Sequence, residues 1–342
     1  MSQRYEGPES PGRPRSLGGG VLRVFGDVRP GEAATAIILL VDIFLLLASY
    51  YIIKVVREPL VLVSAERDLR IFTTTNLPAW IKSILQLQSG PQLKAGGAAC
   101  QALLLVGFIP LYSWFASKVK RVYFLVGVTA FFISNIILFY LLSLAEVPFL
   151  GFIFYVWVGI FNNSMVAQFW SFANDIYSRN EGHRLFPVIA IGASAGAPVG
   201  SFVAGKLSNW PPYQTILLTA GLLCVFLALT LVVHFRGPGT RPEAGPKVPA
   251  RAPEPREPLK RGSGFKYVFG SRYVLLIGFL LLALNVVNTN GEFILSAFVR
   301  NAAGAAAPGQ EGPFVQGFYG TFNFWSGIVS LLIQALLVSR IV

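Results

Sequence analysis

Charge is what this sequence has least of. Asp, Glu, Lys and Arg make up 13% of its 342 residues, about half the share of a soluble domain. Histidine and cysteine are scarcer still, with two of each. Cys100 and Cys224 sit inside apolar runs, where a free cysteine behaves as a small hydrophobe. The absence of paired-Cys spacing excludes zinc-finger and thiol-redox motifs. His183 and His234 are isolated, and His234 closes an apolar run, as an interfacial residue does. No nucleophile–base set, phosphate-cradling glycine loop or metal-ligand spacing occurs. Neither an enzyme nor a protein with a cofactor or metal is expected. The polar N-terminus, with its Pro and Gly, is unlike a cleavable signal peptide. The first apolar helix is therefore expected to serve as an uncleaved insertion signal.

Apolar residues are what the chain has in excess: 54% of the total, with a mean hydropathy of +0.60. Several runs reach the ~20 residues that a bilayer-spanning helix requires. The fold class is thus an all-α polytopic membrane protein. Spans are expected at residues 34–56, 96–116, 122–144, 147–173, 185–205, 213–235, 273–298 and 314–338. Residues 1–33 form a Gly-, Pro- and Arg-rich tail. Residues 64–94 interrupt the pattern, and within them Trp80, Ile81, Ile84 and Leu85 share one side, as in a short interfacial helix. Residues 236–262 are dense in Pro and charge, which marks a linker. The chain divides into the tail, a six-helix bundle over 34–235, a basic cytoplasmic linker over 236–272, and a partial C-terminal bundle over 273–342.

The net charge of +12 reports bilayer orientation rather than nucleic acid, since no basic motif interleaved with aromatics is present. Of the 28 Lys and Arg, nineteen fall in the tail and the loops after spans two, four and six, against seven in the other loops. The positive-inside rule then predicts a cytoplasmic N-terminus.

Ionisable groups inside lipid cost several kcal/mol, so they normally face a cavity or a partner. The first span carries Asp42, Lys54, Arg57 and Glu58. Lys54 and Glu58 are four residues apart and can pair along the helix. Arg57 is a candidate anchor for an anionic substrate, with Lys54 beside it; snorkelling to the outer interface is the plainer reading of both. Asp42 and Glu58 are candidates for coupling or charge balance. In the fourth span Asn163, Trp170 and Asn174 fall within ~40° of one another at 100° per residue, a polar stripe with one aromatic wall. In the fifth, Gly192, Gly196 and Gly200 recur every four residues, the spacing that lets two helix backbones approach. In the seventh, Asn285, Asn288 and Glu292 share a face, and Glu292 can bind a proton or pair with the first-span cations. Tyr319, Asn323 and Trp325 of the eighth span are a weaker signal.

Two resemblances follow. Six helices, a long basic linker and further helices resemble the plan of the major facilitator superfamily, which has two six-helix halves. That plan implies a chain that is part of a longer protein; an eight-span protein is the alternative. The segments YYIIKVVREPLVL (50–62), FWSFANDIYSRNEGHRLFPVIAIGAS (169–194) and GFKYVFGSRYVLLIGFLL (264–281) resemble the bacterial and plastid ATP/ADP translocases. Lys54 matches an arginine of that family, Arg57 its lysine and Glu58 its aspartate. Glu292 is a loose counterpart of its helix-seven acid. Val156, Trp157 and Val158 stand where the family carries an acid in helix four, and residues 64–89 look like an insertion. The chain is similar above all to the divergent bacterial branch, whose substrates are undefined. The resemblance implies an inner-membrane secondary transporter of an anionic metabolite, such as a nucleotide or organic phosphate. A non-transporting scaffold or regulatory subunit with a carrier fold is the competing expectation. The oligomeric state is not legible.

Overall fold

The computed structural model describes residues 32–73, 78, 89–119, 121–236 and 270–341. The tail, the interfacial helix expected around Trp80 and the Pro-rich linker lie outside these residues. Helices are α1 (Ala33–Pro59), α2 (Ala65–Thr73), α3 (Gly90–Lys118), α4 (Arg121–Leu144), α5 (Leu150–Ile176), α6 (Arg179–Lys206), α7 (Pro212–Arg236), α8 (Arg272–Ala306) and α9 (Glu311–Ile341). Among the described residues there is no strand. Seven stretches are long and apolar enough to cross a bilayer, beginning with Ala33–Ile71 and ending with Arg272–Ala306. The 31-residue α9 is an eighth long helix. The exterior is as apolar as the interior. Leu103, Val106, Ile109, Leu138, Leu276, Phe279 and Leu280 are all exposed, as lipid-facing side chains are. The chain is a multi-pass membrane protein.

α1 is the central rod, packed most closely on α6 and also on α7, α9 and α5. Its contact with α6 is almost bare backbone. A Cβ on Gly192 would stand 2.2 Å from the Leu40 carbonyl oxygen, one on Gly196 2.6 Å from that of Phe44, and one on Gly200 2.3 Å from that of Ala48. Every fourth residue of α6 thus meets every fourth residue of α1. Farther along, α6 crosses α9 just as closely, with Gly205 against Gly320. Deeper in the α1–α7 seam, the Thr230 hydroxyl donates to Asp42 Oδ2 at 2.8 Å.

The first span does not end at residue 56 as expected. Pro59 lacks the N–H that would continue the α-helical ladder, and the chain answers with a π-helical turn, Leu60–Ser64, before resuming as α2. This wide turn brings its carbonyls against two helix starts. Gly90 of α3 abuts the Leu62 carbonyl and Gly151 of α5 abuts that of Leu60. Asp68 of α2 then accepts the Phe149 N–H at 3.0 Å, holding the left-handed Phe149 that precedes α5 (φ 58°).

α3 starts six residues before the expected boundary. Ser89 and Gln92 form a capping box, with Pro91 in the first turn. Ser178 and Glu181 do the same for α6, which also begins six residues early. Gly200→Ala is expected to push α6 off α1 and cost about 1–3 kcal/mol, the usual cost of overpacking. Gly221→Ala in α7, where a Cβ meets nothing within 4 Å, is expected to be neutral or stabilising by up to about 1 kcal/mol. Thermal unfolding in detergent, followed by tryptophan fluorescence, compares the two.

Candidate functional site

Where the π turn meets α3, α5, α8 and α9, five charged side chains converge. Arg57 and Glu58 lie at the end of α1, and Arg57 Nε reaches Glu58 Oε1 at 3.2 Å. Lys94, one turn into α3, places its ammonium 2.8 Å from Glu58 Oε2 and 2.8 Å from Glu292 Oε2 of α8. Lys54, one turn before Arg57, lies within electrostatic reach of Arg57, Glu58, Lys94 and Glu292. Three cations thus face two carboxylates, leaving one positive charge in excess inside a low-dielectric setting.

Each cation is capped by a tyrosine ring. The Lys54 ammonium lies 5.2 Å from the Tyr51 centroid, the Arg57 guanidinium carbon 4.7 Å from Tyr155 of α5, and the Lys94 ammonium 5.2 Å from Tyr319 of α9. Such ring faces stabilise a cation without neutralising it. The carboxylates differ sharply in access: the Glu58 side chain is 3% exposed and that of Glu292 40%.

A second cluster lies farther along the same α3–α8 seam. Glu66 of α2 is buried and takes Arg70 Nη2 at 2.5 Å, the Gly90 N–H at 3.1 Å and Arg300 Nε at 3.0 Å. Its carboxylate caps the start of α3 while binding α8. Glu292 and Arg300 are two turns apart on α8, so the seam carries two ion pairs of opposite polarity.

The structure brings Lys54, Arg57, Glu58 and Glu292 together. The i,i+4 pairing expected between Lys54 and Glu58 is not what forms; Glu58 is taken by Lys94 and Arg57, and Lys54 turns to the Tyr51 ring. Asp42 lies fifteen residues before Arg57, roughly 22 Å along the helix, and is bonded to Thr230 instead. Among the described residues no bond or ring contact joins Asn163, Trp170, Asn174 or Asn288 to the cluster. Asn163 and Asn174 are exposed, Asn163 donates to the Gly159 carbonyl of its own helix, and Trp170 packs edge-on to Phe186 of α6. Asn288 is exposed on α8. Gly192, Gly196 and Gly200 form the α1–α6 contact.

Lys94 is the member of the cluster that the apolar pattern of the sequence does not mark. Counted as part of a loop, it is the hub of the cluster because α3 begins at Gly90. The Ser-Gly-Pro-Gln capping sequence was the signal that places it on a helix. Tyr155 gave no signal of its own. Trp157, at the position where an acid was absent, stacks between Phe154 and Phe161 at interplanar angles of 24° and 18°. That turn of α5 therefore joins the aromatic core, and only Tyr155 reaches the charges.

Removing one member of a buried ion pair costs about 3–5 kcal/mol. Glu58→Gln is expected to lose that much, because Arg57 loses the carboxylate it is paired with and Lys94 keeps only Glu292. Arg70→Ala, with a side chain 76% exposed, is expected to lose about 1 kcal/mol or less. Thermal unfolding of the two variants in one detergent measures the contrast.

Comparison with known proteins agrees with this architecture. The family model for the Major Facilitator Superfamily matches residues 69–341. Among curated relatives, ADP,ATP carrier protein 1 of Chlamydia muridarum is 24% identical over 202 residues, which is 53% of this chain and 36% of the carrier. ADP,ATP carrier protein 1 of Chlamydia trachomatis serovar D is 23% identical over 203 residues, with the same shares. The chain spans little more than a third of the length of these relatives. No solved structure matches it. With a family match that runs from α2 to the end of α9, the chain belongs to the Major Facilitator Superfamily.

Proposed function

We propose that the protein is a secondary transporter that moves an anionic metabolite, a nucleotide or organic phosphate, across the bacterial inner membrane by alternating access. The N-terminus and the basic linker face the cytoplasm in this reading. The first six spans form one bundle, and α8 and α9 belong to a second that moves against it. The observation that carries the proposal is the buried cluster of Lys54, Arg57 and Lys94 with one positive charge in excess. Such a cluster is costly in a membrane unless an anion visits it. The likeness to the two chlamydial ADP,ATP carriers supports the same substrate class.

Arg57 and Lys94 hold the anion, Lys54 adds field, and Glu58 is the fixed counter-ion that keeps the site assembled when empty. Glu292 balances charge from α8. It is the carboxylate that an entering anion displaces, because it is the one with access. Asn163, Trp170, Asn174 and Asn288 line the path toward the cytoplasm in this scheme, and Asp42 is a coupling group. Loss of the Lys94–Glu292 contact frees α8 from α3 and so links substrate entry to motion between the bundles.

The test is uptake of labelled ADP, ATP and simple organic phosphates into proteoliposomes of the full-length protein. Arg57→Ala is expected to weaken anion affinity more than a hundredfold, since removing a paired charge from a low-dielectric site costs about 3–5 kcal/mol. Arg57→Lys is expected to retain part of it, because the charge survives and the planar fork is lost. An Arg57→Ala protein with wild-type affinity for every anion tried overturns the assignment of this site.

A further inference from the structure

The Lys94 ammonium has three donors. One donates to Glu292 Oε2, the Glu58 carboxylate lies at ion-pair distance, and the face of Tyr319 lies over the remaining side. Tyr319 is 3% exposed, and its hydroxyl oxygen stands beside the Lys94 ammonium with no acceptor for its own proton among the described residues. A buried hydroxyl left unbonded costs about 1–3 kcal/mol, so this arrangement favours the arrival of an acceptor. Ring packing alone is satisfied by phenylalanine and gives no reason for the oxygen.

Of the two carboxylates on Lys94, Glu58 is sealed and Glu292 is accessible. An oxyanion that takes the place of Glu292 inherits one donor from the ammonium. It still needs a second donor to hold a defined orientation, and the unbonded Tyr319 hydroxyl stands beside the same ammonium. We propose that Lys94 and Tyr319 form an oxyanion subsite, in which a phosphate or carboxylate group of the ligand displaces Glu292 from Lys94 and accepts a hydrogen bond from the Tyr319 hydroxyl. Glu58 stays in place and keeps the ammonium charged and aimed. Tyr319 comes from α9 and Lys94 from α3, so the ligand bridges the first six spans and the helices after the linker. The inference rests on reading the cluster as an anion site and adds to it a specificity residue and the atoms that bind.

The test uses the purified full-length protein in detergent and three probes: ADP, inorganic phosphate and succinate. Dissociation constants are measured for wild type, Tyr319→Phe, Glu292→Gln and Arg57→Ala, with a melting temperature for each. Tyr319→Phe keeps the ring over Lys94 and removes only the oxygen. A hydrogen bond to a charged group predicts about tenfold weaker binding or more, with a melting temperature that is not lowered and rises as the unbonded hydroxyl is removed. Glu292→Gln removes the competing carboxylate and is expected to bind severalfold tighter. The probe whose affinity responds to both changes identifies the group, phosphate or carboxylate, that occupies the subsite. Wild-type affinity in Tyr319→Phe, or unchanged or weaker binding in Glu292→Gln, overturns the subsite. If Arg57→Ala still abolishes binding in that case, the anion site itself stands. Failure of the wild type to bind any of the three probes overturns both. Should Tyr319→Phe fail to fold, the Glu292→Gln result decides the displacement by itself.

Discussion

Lys94 Nζ sits between Glu58 and Glu292, 2.8 Å from each, and this end of the bundle is organised around that pair of contacts. An ammonium taken out of water without an anion costs several kcal/mol, and so does each carboxylate. The three groups therefore hold one another in place, and with them three helices: the end of α1 through Glu58, the start of α3 through Lys94 and the middle of α8 through Glu292. The arrangement is strong in one direction and replaceable in the other. Glu58 is enclosed by packing, hydrogen-bonded to Arg57 and ion-paired with Lys94. Glu292 is reached from outside, so another anion can compete for its place at little structural cost.

Getting these charges to one point is the work of the close helix contacts. Gly192, Gly196 and Gly200 let α6 lie on the α1 backbone, which fixes the rotation of α1 and hence the direction of Arg57 and Glu58. Pro59 forces the π turn, whose carbonyls receive Gly90 and Gly151. That places the first turn of α3, with Lys94, and the first turns of α5, with Tyr155, against the end of α1. Larger side chains at these glycines would separate the helices by more than the reach of the ion pairs. The second cluster, Glu66 with Gly90, Arg70 and Arg300, fixes the same seam from its far end. Together the two ion pairs on α8 set its register against α2 and α3, since a slip of one turn opposes like charges or leaves one of them alone.

Much of this was legible in the chain. Apolar runs of sufficient length give the helices and the membrane, because lipid offers no hydrogen bonds and only a closed backbone ladder survives there. The four-residue glycine spacing marks a close helix crossing, though not which partner it meets. Arg57, Glu58 and Glu292 stand out as ionisable groups in apolar surroundings. Lys94 does not stand out, because its neighbours Gln92, Gly96 and Gly97 read as a loop and the capping box of Ser89 and Gln92 is the one local sign that α3 has begun. The polar stripe of α5 was equally visible as a periodicity, but periodicity states only that residues share a face. It cannot say whether that face meets charge, water or lipid.

The sequence by itself determined the number and length of the apolar helices, their small-residue contact surfaces and the presence of ionisable groups among them. These depend on local composition and on spacing of three or four residues. The tertiary structure alone decided the pairings. Glu58 ignores Lys54, four residues away, and binds Lys94, thirty-six residues on; Lys94 in turn binds Glu292, 198 residues farther. Asp42 is bonded to Thr230, 188 residues away. Which distant charge arrives first depends on how the π turn aims the end of α1 and how closely the glycines let α6 and α3 approach. Those distances follow from side-chain volumes on several helices at once, and no single segment contains them.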